Sequence, residues 1–190
     1  MAWREVYLQA TCSSATTKWA RAKPSKVWAT PEEGSLKLNV DGAFLASIQY
    51  GGTRGVLRNS QGQFLAGFSF RVDFVTYPLH VELLTLKNGL ELLQAMQITH
   101  APVESDCLIV VQAIASITPN LSPLSALITD IQGLLAGSED LKLLYVPRQA
   151  NTLAHRLANF NFDSNVHLDW FVNAPEFTLD ALMYDFSRIK

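Results

Sequence analysis

The chain has 190 residues, of which 48% are hydrophobic, and a formal net charge of −2. This size and composition suit one globular domain with terminal extensions, and the apolar runs fall far below the roughly 18 residues that span a bilayer. Charge is unevenly distributed, because the stretch between Lys87 and Lys142 contains six acidic residues and no Lys or Arg. Phosphate backbones are held by clustered Lys and Arg, so any nucleic acid would have to be gripped elsewhere.

Two cysteines, Cys12 and Cys107, cannot form a disulfide framework and lack the spacing of a metal site. This favours a reducing compartment, and we expect an intracellular protein of the cytoplasm or nucleus. Residues 1–31 carry five basic residues against the single acid Glu5, so an organellar transit peptide is kept as an alternative.

The first 35 residues show no sustained period and end in a turn-like Pro-Glu-Glu-Gly, which indicates an extension or linker. Alternation of apolar and polar residues then predicts a first strand from Leu36 to Asp41 and Gly42. Residues 55–58 and 64–70 read as two further strands joined by a short polar turn. Together these three strands form an antiparallel meander.

After Pro78 the apolar period changes to about 3.6, which predicts a helix containing Glu82 in its opening turns. A short strand over 101–107 precedes a helix that begins at Leu108. Further elements are a helix from Ser122 that Gly137 ends, a strand over 141–146, a helix over 151–160 and a short helix over 177–186. The order βββαβααβα predicts an α/β domain with a mixed sheet, in which ligands bind beyond the strand ends.

Three carboxylates occupy positions where elements begin or end: Asp41 on the first strand, Glu82 near a helix start and Asp106 between a strand and a helix. Hard oxygen ligands of this kind bind divalent cations. The alternative is three unrelated residues, namely a solvated strand-edge Asp, a Glu stabilised by a helix dipole and an N-cap Asp.

Five motifs occur in order within this pattern: KLNVDGAF from residue 37, GGTRGVLR from 51, VELL from 81, ESDC from 104 and ANTLAHRLA from 150. Together they resemble the plant, retroelement-derived branch of the ribonuclease H superfamily. The resemblance implies a five-stranded sheet, a meander plus two parallel strands, flanked by helices. It also implies Mg²⁺- or Mn²⁺-dependent cleavage of the RNA strand of RNA/DNA hybrids, with Asp41, Glu82 and Asp106 as metal ligands.

The resemblance also assigns roles around this trio and exposes a departure. His155 stands at the position where active relatives commonly supply a fourth carboxylate. Gly42 would either let a hybrid approach the backbone or only relieve crowding, and Asn151 would either contact nucleic acid or cap its helix. The arginines available as phosphate contacts are Arg54, Arg58, Arg148 and Arg156, with Arg148 nearest the predicted site.

Two hypotheses follow for a chain divided into an extension (1–35), a ribonuclease H-like domain (36–162) and a C-terminal extension with a short helix (163–190). The first is a metal-dependent ribonuclease of weak activity, whose partner is RNA/DNA hybrid or another nucleic acid. The second is a catalytically inactive, domesticated fold that serves as a protein-interaction or regulatory module. The fourth position and the missing basic grip motivate the second hypothesis, because a fold does not fix a function.

Overall fold

The computed structural model describes residues 25–118, 122–138, 140–157 and 167–188. The strands β1 to β6 span Leu36–Leu45, Tyr50–Asn59, Phe64–Val72, His100–Ser105, Asp140–Tyr145 and Leu168–Phe171. The helices α1 to α5 span Pro78–Ala95, Leu108–Ala115, Ser125–Ala136, Thr152–Leu157 and Leu179–Phe186, and 3₁₀ turns cover Arg148–Ala150 and Glu176–Thr178. Within these ranges no helix is both long and apolar enough to cross a membrane.

The strands form one mixed sheet in the order β5-β4-β1-β2-β3-β6. β1, β2 and β3 are the antiparallel meander, while β4 and β5 run parallel to β1. The α/β fold class, with this meander and two parallel strands, is therefore confirmed. The predicted strand count of five is wrong, because β6 adds a sixth strand to the described part of the sheet by pairing antiparallel with β3. Its four residues are too few to show a period, and their partner lies about a hundred residues earlier.

Several element ends differ from the sequence pattern. β1 continues past Gly42 to Leu45, and β2 begins at Tyr50 rather than Gly55. The two glycines at 51 and 52 hide the alternation there, although both pair with β3. α3 begins at Ser125 rather than Ser122. α4 begins at Thr152, and residues 158–160 of the predicted helix lie outside the described residues.

One face of the sheet packs against α1 and α3 through a core of buried aliphatic residues. Leu38 and Val40 on β1 belong to it, and Gly89 lets α1 come close to them, since a Cβ at Gly89 would lie 2.9 Å from each side chain. This close approach fixes α1 over β1 and so sets where Glu82, near the start of α1, reaches the sheet.

The opposite face of the sheet buries polar groups beside a smaller apolar cluster of Val56, α4 and α5. Asn39 and Arg58 lie on this face, and the guanidinium of Arg58 donates to Asn39 Oδ1 at 3.0 Å and to Asp185 Oδ2 at 2.7 Å. Trp28 covers the guanidinium at 3.5 Å and donates its indole N–H to the same Asn39 oxygen at 2.9 Å. Asn39 in turn donates to Glu104 on β4 at 2.9 Å. A segment before β1 and a residue of α5 thus complete the environment of one buried arginine.

This burial corrects one expectation. Arg58 is 1% exposed and its pKa is lowered by desolvation, against the opposing effect of Asp185. It is therefore part of the interior and is unable to contact a phosphate at the surface. The alternation on β2 did not indicate this, because the sequence does not show that chain segments from both flanks cover the second face.

Replacing Asp185 with Ala should cost about 3–5 kcal/mol of unfolding free energy, because it leaves a buried guanidinium without its carboxylate. The matched control is Asp73→Ala, which breaks the more exposed Arg71–Asp73 pair and should cost no more than about 1 kcal/mol. Urea unfolding of both variants measures the difference. Equal losses would show that the Arg58–Asp185 pair does not hold the flanks in place.

Candidate metal centre

The register of two parallel strands brings the first two carboxylates to the same edge. Val40 on β1 pairs with Ser105 on β4, so the residues that follow, Asp41 and Asp106, emerge side by side. Glu82 approaches from α1 and accepts a hydrogen bond from the backbone N–H of Gly42 at 3.1 Å. One carboxylate oxygen from each of the three residues lies within 4.8 Å of the others. The three carboxylates predicted from the sequence are therefore brought together by the fold.

This donor set is suited to a divalent cation. All three ligands are carboxylates, the hard oxygen donors that such cations prefer, and Asp41 is only 4% exposed. Among the described residues, no other group of this kind forms. The cluster is thus able to bind a metal ion. An ion there would offset the repulsion between the three carboxylates that the fold brings together.

The repulsion is visible in the proton affinities of the site. The pKa of Glu82 is raised to about 8, mainly by burial and then by the neighbouring Asp41 and Asp106, while the Gly42 N–H and Arg148 act in the opposite direction. Burial and then Asp41 also raise the pKa of Asp106. Near neutral pH the Glu82 carboxyl therefore favours its protonated form, and a bound cation would replace that proton.

Gly42 provides the room that Glu82 needs. A Cβ at this position would lie 3.0 Å from the Glu82 backbone nitrogen, from Glu82 Oε2 and from Thr85 Oγ1. The missing side chain thus lets α1 approach β1 and lets the carboxylate meet the Gly42 N–H. This favours the interpretation that Gly42 relieves crowding; a contact between its backbone and nucleic acid stays a prediction.

Asn151 lies behind the trio and is 1% exposed. Its amide nitrogen donates to the Val40 carbonyl at 2.8 Å and to Asp106 Oδ1 at 3.3 Å. It also accepts, through its backbone carbonyl, the N–H of His155 at 3.1 Å. Asn151 therefore orients Asp106 and ties the start of α4 to β1, and its contact with nucleic acid stays a prediction.

His155 and Arg148 close one side of the site. His155 Nδ1 lies 3.2 Å from Asp41 Oδ2, and Arg148 Nη2 lies 3.0 Å from Nδ1 and 2.9 Å from Nε2 of the same ring. An imidazole with its proton on Nδ1 satisfies both partners, since it donates to Asp41 and accepts from Arg148 at Nε2. His155 contacts one member of the trio but is not in the group of clustered ligand atoms.

Sequence reasoning missed one functional neighbour. Arg54 pairs in register with Asp41 across β1 and β2, and it is fully buried rather than available to phosphate. Burial lowers its pKa to about 10, and Asp41 and Glu82 oppose that shift. The charge of Arg54 therefore lies beneath the carboxylates. The sequence indicates that Arg54 shares a face of β2 with Arg58, because the two are four residues apart on one strand. Only the strand register places Arg54 beside Asp41.

Solved structures share this architecture. Similarity to the RNase H1 of the halophilic archaeon Halobacterium salinarum has a TM-score of 0.63 at 23% identity, over 68% of this chain and 98% of that one. Similarity to LC11-RNase H1, solved in complex with RNA/DNA hybrid, has a TM-score of 0.61 at 20% identity, over 68% and 97% of the two chains. At these identities the likeness shows the fold. The fold and the carboxylate cluster together define a ribonuclease H-like domain.

Residues 39–161 match the model of the reverse transcriptase-like family, and the chain belongs to that family. An Arabidopsis thaliana protein provisionally named a ribonuclease H protein is 28% identical over 158 residues, which are 83% of this chain. The chain spans 25% of the length of that relative. The predicted family, a retroelement-type domain of the ribonuclease H superfamily, is confirmed.

The raised pKa of Glu82 predicts how stability depends on pH in metal-free protein. Folding favours the neutral acid, so this contribution is full below the ordinary pKa of 4.5 and is lost as pH rises to about 8. The melting temperature should therefore fall between pH 5 and pH 8 by several degrees, since about 1 kcal/mol corresponds to roughly 2–4 °C at this size. Glu82→Gln should flatten the fall, and thermal melts across that pH range measure it.

Glu91→Gln is the matched control, because it changes an exposed glutamate on the same helix and should leave the pH dependence as it is. Adding Mg²⁺ at pH 8 should restore stability in the wild type and not in Glu82→Gln. A wild-type melting temperature that is level or rises from pH 5 to pH 8 would contradict the placement of Glu82.

Gly42→Ala tests the space beside Glu82. The added methyl should move the carboxylate or α1, which we expect to cost about 1–3 kcal/mol of stability and to weaken Mn²⁺ binding by roughly tenfold or more. Gly133→Ala on α3 is the control, because a Cβ there meets nothing within 4 Å and should stabilise the helix by up to about 1 kcal/mol. Urea unfolding and calorimetric Mn²⁺ titration measure both effects; unchanged Mn²⁺ affinity in Gly42→Ala would refute the role given to this glycine.

Proposed function

We propose that this domain hydrolyses the RNA strand of RNA/DNA hybrids with Mg²⁺ or Mn²⁺ held by Asp41, Glu82 and Asp106. The observation that carries the proposal is the convergence of these three carboxylates at one edge of a ribonuclease H-like sheet, within 4.8 Å of one another. Isolated acidic surface residues would not share a buried edge or raise the pKa of one another. The raised pKa of Glu82 supports the proposal, because a cation would relieve the repulsion that contributes to it.

A bound cation would supply Lewis acidity at the scissile phosphate and lower the pKa of an attacking water. The chain's own residues do the rest. Asp41, Glu82 and Asp106 bind and orient the ion, the Gly42 N–H holds Glu82 in place, and Asn151 holds Asp106.

A nucleic-acid partner is supported by the fold and by the exposed arginine beside the site. LC11-RNase H1, which has the same fold, was solved with RNA/DNA hybrid. In this chain Arg148 is exposed and is the arginine near the trio that is free to face a phosphate, since Arg54 and Arg58 are buried. Few basic residues surround the site, so we propose weak hybrid binding with a shallow salt dependence, because few phosphates are neutralised.

The similarity to an Arabidopsis thaliana protein also supports the proposal that the domain derives from a plant retroelement. The sequence supports an intracellular location through its cysteine usage. The proposed location and the proposed cleavage are independent, because cleavage does not require the protein to be in a particular compartment.

The test is cleavage of a labelled RNA/DNA hybrid by the purified chain with Mg²⁺ or Mn²⁺. Asp41→Asn and Asp106→Asn should each lower the rate by at least about 100-fold, because loss of a metal ligand removes several kcal/mol of transition-state stabilisation. Asp130→Asn is the control, since this aspartate faces Lys87 outside the trio and should retain the wild-type rate.

Two outcomes would overturn the assignment. Cleavage that survives both ligand substitutions would place the active site elsewhere or indicate a contaminating nuclease. Wild-type protein that neither cleaves nor binds hybrid at low salt would leave the inactive, domesticated fold as the better account.

A further inference from the structure

The His155–Arg148 pair affects how many cations the carboxylate site is able to hold. Hydrolysis of phosphodiesters commonly employs two cations about 4 Å apart, which share a bridging carboxylate and each need further ligands. This site offers three clustered carboxylates, and the side where a fourth ligand would stand is taken by His155. The chemistry of that side decides how many cations the site holds.

The imidazole of His155 already contacts two protein partners in this arrangement. Its Nδ1 is 3.2 Å from Asp41 Oδ2, and the guanidinium of Arg148 approaches both ring nitrogens, at 3.0 and 2.9 Å. A guanidinium only donates, so a ring nitrogen must accept from it. To ligate a cation, His155 would have to release Arg148, and a cation at that point would face the positive charge of the arginine.

The same contact reduces what Asp41 is able to offer. A bridging carboxylate directs lone pairs of both oxygens to two cations, and one lone pair of Asp41 Oδ2 accepts a hydrogen bond from His155 Nδ1. Glu82 Oε2 similarly accepts the N–H of Gly42, and Asp106 Oδ1 accepts from Asn151. Each carboxylate therefore has one lone pair engaged by the protein, and no fourth carboxylate joins the trio among the described residues to complete the ligands of a second cation.

Local charge supports the same count. Two positive charges lie beside the trio: Arg148 contacts His155, which is bonded to Asp41, and buried Arg54 pairs in register with Asp41. When all three carboxylates are ionised, as cation binding requires, the two guanidiniums leave one net negative charge for the cation to offset. One divalent cation reverses that charge to a single positive, which a substrate phosphate neutralises. A second cation would raise it to three in a partly buried site.

We propose that the site binds one divalent cation, held by Asp41, Glu82 and Asp106, and that Arg148 supplies the positive charge a second cation would otherwise bring. His155 is a positioning residue, because it fixes Arg148 against the trio while bonded to Asp41. The proposal rests on the metal site of the proposed function and adds the number of ions and the role of this pair.

The experiment counts Mn²⁺ by electron paramagnetic resonance on the full chain, alone and with a hybrid whose RNA strand carries 2′-fluoro groups to prevent cleavage. The hybrid without protein gives the correction for Mn²⁺ bound to nucleic acid. Wild type should hold one Mn²⁺ per chain in both states, with the spectrum of an isolated ion. Two ions sharing a ligand would couple magnetically and give a distinct spectrum.

The double variant Arg148→Gln, His155→Asp removes the positive charge and adds a carboxylate, so it should hold two coupled Mn²⁺ with hybrid present. Arg148→Gln alone should still hold one Mn²⁺, bound roughly tenfold more tightly because a nearby positive charge is gone. Arg156→Gln is the matched control: Arg156 is also exposed, pairs with Asp180, and should change neither count nor affinity. Circular dichroism and thermal melts confirm that each variant is folded.

Two Mn²⁺ on the wild type, with or without hybrid, would overturn the proposal, as would a folded double variant that still holds one. No bound Mn²⁺ would overturn both the count and the metal site. A wild type that holds one Mn²⁺ yet fails to cleave hybrid would reject the proposed function and leave the count standing. A wild type that cleaves hybrid with two bound Mn²⁺ would support the proposed function and reject the count of one.

Discussion

The parallel pairing of β1 with β4, in which Val40 lies opposite Ser105, governs the position of everything at the site. It brings Asp41 and Asp106 to one edge, and Asn151 reinforces it by donating to the Val40 carbonyl and to Asp106. A slip of one residue would turn Asp41 to the opposite face of the sheet, where aliphatic side chains of β1 pack under α1. The aliphatic core on that face therefore maintains the register on which the carboxylates depend.

The register also creates an electrostatic cost. Three carboxylates share a small volume, and burial together with their mutual repulsion raises the pKa of Glu82 and of Asp106. The chain offsets part of this cost with fixed positive charges: Arg54 lies beneath the edge and Arg148 at its side. Glu82 adds a second compensation, because it is able to hold a proton that a cation replaces. Binding of a cation would thus be linked to proton release and stability through one side chain.

The two faces of the sheet have different structural roles. Aliphatic packing on the α1 face sets the strand register, whereas the other face buries Arg58 within a set of polar partners that includes Asn39 and Asp185. Trp28 completes this set from a segment before the first strand. Buried ionic groups need every partner in place, so this arrangement makes the flanking segments part of the folded unit that carries the site.

The sequence by itself determined the element types, the α/β class and the three carboxylates, because each depends on local periodicity or on residues next to a strand end or helix start. It did not reveal β6, whose four residues pair with a strand about a hundred positions away. Nor did it reveal that Arg54 and Arg58 are buried, since burial depends on which distant segments cover a face. The contacts of His155 were likewise decided by tertiary structure: only the fold brings Asp41 and Arg148 to one imidazole ring. Such contacts join residues far apart in the chain, and a local pattern does not contain them.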